Sequence, residues 1–123
     1  MTREDAETFA HDWAVAWNDL AIERVLAHFD EKVSFSSPTA LAVVGVATVR
    51  GKPALREYWT RALSRITELH FTVERILWDA STDELAIIYE SEINGQKKRV
   101  SENLMFGEHG LVVKADVFHG AGA

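Results

Sequence analysis

Glu102 is the residue with the clearest chemical content, because the Asn94-Gly95 turn lets its surroundings be read from the chain itself. Asn-Gly between two alternating runs is the strongest short hairpin signal, since both central residues of a type I′ turn take positive φ. With a two-residue loop, Ile93 faces Gln96. One face of the hairpin then carries Glu92 opposite Lys97 and Glu90 opposite Arg99, two favourable cross-strand ion pairs. The other carries Tyr89 opposite Val100, Ile87 opposite Glu102 and Leu85 opposite Leu104. Glu102 thus falls in an apolar stripe with no basic partner in register. A carboxylate placed so is costly unless it keeps its proton or serves a ligand. The pattern points to a pocket and leaves the reaction open.

A four-residue Gly107-Glu108-His109-Gly110 loop would set Phe106 opposite Leu111. That register puts Ala115 opposite Glu102, Val117 opposite Val100 and His119 opposite Lys98. Ile87 and Ala115 would flank the carboxylate, the small Ala115 leaving room beside it. His119 shares the inward face as a candidate base or orienting donor, near a tail of Gly120-Ala121-Gly122-Ala123 where exposure is common. Tyr89 lies one pair from Ile87 with a hydroxyl that can reach a ligand or sit at the rim. Ser37, before Pro38, can donate into the cavity or serve a local turn. Trp13, Trp17 and Trp59 read as core aromatics that also line the pocket, and Trp78 as core. His70 can face either way; His11, His28 and His109 read as helix-surface or turn residues. Five histidines without a close-spaced pair, no Gly-rich phosphate loop and no serine elbow lead us to expect neither metal nor cofactor.

These side chains need helices first and strands after. Thr2 and Asp5 form a capping pair, and Phe9, Trp13, Trp17 and Leu20 recur at helical spacing over roughly residues 3 to 17. Asn18-Asp19 breaks that helix, and Asp19 can cap a second at about 20 to 29, with Ile22, Val25, Leu26 and Phe29 inward. Val33 to Ser37 alternates as a strand. Residues 39 to 49, small and aliphatic, read either as a loop that would form a lid over the cavity or as a sheet edge. Gly51-Lys52-Pro53 opens a third helix with a stripe of Leu55, Trp59, Ala62, Leu63 and Ile66. Strands follow at about 69–78, 84–93, 96–106 and 111–119. The expected class is α+β, with three N-terminal helices on one face of a curved, mostly antiparallel sheet.

The chain of 123 residues reads as one domain, 1–123. Apolar residues make up 47% and charged ones 26%, as in ordinary globular chains. Net charge is −6, and two of the three residues in the basic run Lys97-Lys98-Arg99 already have Glu partners, which argues against nucleic acid. No run approaches a membrane span and the start lacks a signal-peptide core, so a cytoplasmic location and no membrane partner are expected. Without cysteine there are no disulfides, thiol catalysis or thiolate metal sites.

Several words of the sequence, taken in order, resemble the nuclear-transport-factor-2-like superfamily, which includes SnoaL-like proteins and ketosteroid isomerases. They are Trp13-x-x-x-Trp17-Asn18, Leu26-x-x-Phe29, Val33-x-Phe35-x-x-Pro38 and Gly51-Lys52-x-Ala54-Leu55-Arg56-x-Tyr58-Trp59, with a closing strand after Gly110. The resemblance covers nearly the whole chain. It implies a cone whose sheet wraps an apolar cavity, and a homodimer through the outer sheet face. Against the ketosteroid isomerases, the catalytic base falls on Ser37, the helix tyrosine on Trp13 and the protonated acid on Glu102. Only the last keeps its type, so the SnoaL-like cyclases are the nearer group. The expected ligand is a small, mostly apolar or carbonyl-containing molecule. Three functions stay open: a cofactor-free isomerase, cyclase or hydrolase using Glu102 and His119; a non-catalytic binding protein; and a structural dimerisation module.

Overall fold

The computed structural model describes residues 1–121; the last two residues of the expected tail lie outside the described part. Helix α1, Arg3–Asn18, begins at a capping box, Asp5 N–H donating to Thr2 Oγ1 at 3.1 Å and Thr2 N–H to Asp5 Oδ2 at 2.8 Å. Its buried face carries Phe9, Trp13 and Trp17. Leu20, expected in the same stripe, is 43% exposed, because the chain turns away there through a positive φ of 55°. Asn18 does more than end the helix. Its side chain accepts from Phe71 N–H at 2.7 Å and donates to Phe71 O at 3.0 Å, binding the end of α1 to the first long strand.

Helix α2 is short, Ile22–Leu26, and its N-cap is Ala21; Asp19 instead pairs with Arg24 at 3.2 Å. Strand β1, Phe29–Ser36, starts four residues earlier than expected, since Phe29 pairs with Val112 of the last strand and leaves the helix. Residues 39–49 are neither loop nor strand throughout. They form helix α3, Pro38–Val44, closed by Gly45 at φ 82°, and then the edge strand β2, Thr48–Arg50. Helix α4, Lys52–Leu63, follows Gly51 and places Pro53 in its first turn. Four helices thus stand where three were expected.

Strands β3 (Leu69–Asp79), β4 (Glu84–Ile93), β5 (Gln96–Phe106) and β6 (Val112–His119) complete a six-stranded sheet in the order β2-β1-β6-β5-β4-β3. Only β1 and β6 run parallel, so the curved sheet is mixed and remains unclosed. The β4–β5 register is the expected one, from Ile93–Gln96 through Ile87–Glu102 to Leu85–Leu104. The expected ion pairs on its outer face differ. Arg99 reaches across β4 to Glu74, the extra residue at a β3 bulge, at 2.8 Å, and Lys97 leans to Glu90 at 4.0 Å.

The β5–β6 register is displaced by two residues. Phe106 pairs with Val112 instead of Leu111, and Val113 bulges before Lys114 meets Met105. A Cβ on Gly107 would come 2.7 Å from Val113, so the close approach at this bulge requires glycine. Glu102 consequently faces Val117, Val100 faces His119, and Ala115 lies against Leu104. Beyond the bulge the shift of two keeps Ala115, Val117 and His119 on their expected face, whereas Val112 turns inward and Val113 outward. Among the described residues no helix is long and apolar enough to cross a membrane.

Candidate functional site

A cavity of about 360 Å³ opens between the inner face of β3–β6, the end of α1, the start of α3 and one side of α4. Its walls are largely aromatic. Trp17 meets Trp59 edge-on at 4.9 Å, Trp59 meets Phe35 at 5.5 Å, and Phe71 leans on Tyr89 at 4.8 Å. The sheet register stacks the inward residues in rows. Phe71, Ser91 and Lys98 stand towards the mouth; Tyr89, Val100 and His119 form the next row; Glu102 and Val117 lie deepest.

Glu102 is 5% exposed and accepts one hydrogen bond, from the Tyr89 hydroxyl to Oε1 at 3.1 Å. Burial raises its pKa to about 7, against the opposing pull of that bond and of the Trp13 indole. Trp13 Nε1 is buried and falls short of hydrogen-bond geometry with any described residue, although it faces the carboxylate closely enough to favour its charge. Holding the carboxylate ionised in this place costs on the order of 3 kcal/mol, from a pKa of about 7 against an ordinary 4.5.

Two phenols share this end of the cavity. Tyr89 is clamped between Trp13, edge-on at 4.9 Å, and Phe71; burial and the neighbouring Glu102 charge push its pKa well above 10. Tyr58 on α4 is pushed up to about 12, mainly by burial, with the hydroxyls of Ser37 and Thr39 beside it and the Glu102 charge raising it further. Both phenols therefore stay protonated and remain donors. His119 is half-buried, and its pKa is lowered by burial and by Lys98, so its imidazole is held towards the neutral form. On the β5–β6 diagonal its Cα is about 7–8 Å from that of Glu102, and both side chains border the cavity. The site can offer a carboxylic acid that exchanges its proton near neutral pH, neutral phenol donors and a neutral imidazole acceptor.

Of the residues singled out from sequence, Glu102, His119, Trp17, Ser37, Trp59, Tyr89, Val100 and Val117 line this cavity. Trp13, Ile87 and Ala115 do not. Trp13 backs Tyr89 and Glu102, while Ile87 and Ala115 are fully buried in packed core. Ala115 stands away from Glu102 because of the β6 bulge, so the space beside the carboxylate is bounded by Val117. Ser37 accepts from Thr39 N–H at 3.2 Å as the N-cap of α3, its local turn role, and still faces the cavity. His70 points outward into a groove between α1 and β3. Tyr58 was missed, although it falls three residues after Leu55 and beside Trp59 on the stripe assigned to α4. The α3 residues Thr39 and Val43 were missed because their segment was not read as a helix.

No curated protein matches the chain. The family model of the SnoaL-like domain matches residues 10–110, and the chain belongs to that family. A SnoaL-like protein of unknown function from Burkholderia thailandensis E264 is similar at 30% identity and a TM-score of 0.88, with 98% of each chain covered. A putative ketosteroid isomerase from Kribbella flavida shares the fold at 18% identity and a TM-score of 0.75, covering 98% of this chain and 81% of that one. TerC, crystallised with polyporic acid, shares it at 12% identity and a TM-score of 0.77, covering 94% and 91%. The likeness below a quarter identity extends to the fold alone.

Proposed function

We propose that this SnoaL-like domain binds a small, mostly apolar molecule in the cone cavity and engages an oxygen of that molecule through Glu102. One observation carries the reading: a carboxyl with a pKa of about 7 faces an aromatic-walled cavity with a single hydroxyl as hydrogen-bond partner. A buried carboxyl with so few partners has spare hydrogen-bonding capacity directed at a ligand. Protonated Glu102 donates to a carbonyl oxygen, the Tyr89 hydroxyl orients the carboxyl by donating to its Oε1, and neutral His119 accepts a proton from the adjacent carbon. That sequence describes a cofactor-free isomerase, cyclase or lyase. That TerC, of the same fold, is crystallised with a small organic acid supports small-molecule binding.

A second reading, a non-catalytic binder, is favoured by Ser37. Its hydroxyl caps α3, and Glu102 is the only carboxylate among the described lining residues. The test uses an acylnaphthalene ketone with solvent-sensitive emission. The expected result is a blue-shifted, saturable signal in wild type, weakened about tenfold in Glu102→Leu and less in Glu102→Gln, which keeps a donor. Absence of a saturable signal, or equal affinity in all three proteins, overturns the reading. Hydrogen–deuterium exchange at the ketone's α-carbon separates catalyst from binder: acceleration lost in Glu102→Gln favours the first, and none in wild type the second.

The homodimer is likewise our proposal. The outer sheet face presents Ile88, Ser101 and Phe118 in one row, with Phe118 55% and Leu77 53% exposed. Light scattering should give a dimer mass for wild type and a monomer mass for Phe118→Lys.

A further inference from the structure

Charge is unevenly distributed along this cavity. The chain carries a net charge of −6, yet the one carboxylate among the described lining residues is Glu102, at the buried end. Lys98 and Arg65 stand at the other. The neighbours of Lys98 on the opposite face of β5 are engaged, Lys97 with Glu90 and Arg99 with Glu74. Lys98 is exposed and has no carboxylate in ion-pair range among the described residues. Arg65, just past the C-terminal end of α4, also lacks such a partner among the described residues. Lys98 and Arg65 are therefore the unmatched cations of the mouth, and Lys98 is the one in line with Glu102 on β5. Opposite it on β4 stands Ser91, a buried residue that lines the cavity.

Lys98, Val100 and Glu102 occupy alternate positions on one face of β5. At about 3.3 Å per residue, Lys98 and Glu102 are roughly 13 Å apart along the strand. The wall between them is Tyr89, Val100 and the half-buried His119. The cavity thus has a buried acid at one end, an uncharged middle and an unpaired ammonium at the other.

We propose that the ligand is an elongated organic acid: one oxygen, carbonyl or hydroxyl, meets Glu102, and a carboxylate at the opposite end meets Lys98, with Ser91 as an additional donor. An ammonium with one hydroxyl beside it can hold a carboxylate, whose two oxygens take one donor each. The deep contact rests on the pocket reading above; the mouth contact is read from charge alone.

The test compares a hydroxynaphthoic acid, with its hydroxyl and carboxylate at opposite ends, to the corresponding neutral amide, by fluorescence titration at low ionic strength. The acid should bind wild type about five- to tenfold tighter than the amide. That ratio should fall towards one in Lys98→Gln and with added salt, while the amide's affinity is unchanged. Glu102→Leu should weaken both probes and preserve the ratio. Lys98 is exposed, so the variant's fold is expected to be intact, and circular dichroism checks it. A saturable amide with no preference for the acid overturns the carboxylate assignment and leaves the pocket reading standing. A preference that survives in Lys98→Gln and in Lys98→Gln/Arg65→Gln also overturns it. Failure of both probes to bind wild type removes both readings.

Discussion

Strand β5 crosses two interiors that differ in kind. Leu104 and Phe106 enter a closed end, where Leu85, Val112 and Ala115 are fully buried and Phe106 meets Phe9 edge-on at 5.1 Å. Two residues earlier on the same face, Glu102 and Val100 border a cavity of about 360 Å³. The alternation of the strand is the same in both places, so the strand itself does not decide which end is filled. The covering elements decide. Phe9 and Trp78 fill the closed end, whereas α3 and α4 hold their side chains back from the sheet and leave aromatic walls. A close-packed end can stabilise the fold while the open end carries a group that weakens it.

The largest expected effect belongs to the closed end. Leu104→Ala should cost about 2–5 kcal/mol in denaturant unfolding, because it removes buried methyl groups and leaves a void. A matched pair sharpens the contrast. Val112→Ala, in the closed end, should cost about 2 kcal/mol, and Val100→Ala, beside existing empty space, clearly less. Equal losses would break the distinction between the two ends.

The open end should respond in the opposite sense. Glu102 has a pKa of about 7 when folded and an ordinary 4.5 when free, so between those values the native state holds the extra proton. Its contribution to stability therefore falls as pH rises from about 4.5 to 7 and is flat above. Glu102→Leu lacks that decline. Relative to wild type it should gain on the order of 3 kcal/mol between pH 4.5 and pH 8, with a net stabilisation of about 1 kcal/mol or more at pH 8. His28 and His119, whose pKa values are lowered by burial, change stability in the other direction and are common to both proteins. A flat difference between wild type and variant across this range would show that the carboxylate is comfortably solvated.

Smaller effects are expected at the supporting hydroxyls. Tyr89→Phe removes the one bond to Glu102, should move the carboxyl's titration above pH 7 by NMR, and should cost about 1 kcal/mol. Ser37→Ala removes an N-cap and should cost about 0.5–1 kcal/mol while leaving ketone affinity unchanged. Affinity lost together with stability would instead make Ser37 a ligand contact.

Legibility followed the range of the interactions involved. The β4–β5 pairing was readable to the residue because Asn94 and Gly95 impose the turn, and both take positive φ. The β5–β6 pairing was not, since its bulge at Val113 depends on how β6 must meet both β5 and the parallel β1. Small aliphatic residues at 39–49 suit helix and strand alike, which hid α3 and, with it, Thr39 and Val43. Tyr58 sat in plain view on an amphipathic stripe, but a tyrosine there reads as core until the opposing surface is known.

Sequence by itself determined the class of fold, the inward faces of β4 and β5 and of β6 from Ala115 on, and the placement of Glu102 in an apolar stripe. Those are local consequences of alternation and turn chemistry, which act over a few residues. Only the tertiary structure decided that Glu102 meets Tyr89, that Tyr58 stands beside them, that Ala115 lies elsewhere and that space remains in front of the carboxylate. A cavity is the region that several distant segments leave unfilled, and no single stretch of chain specifies it.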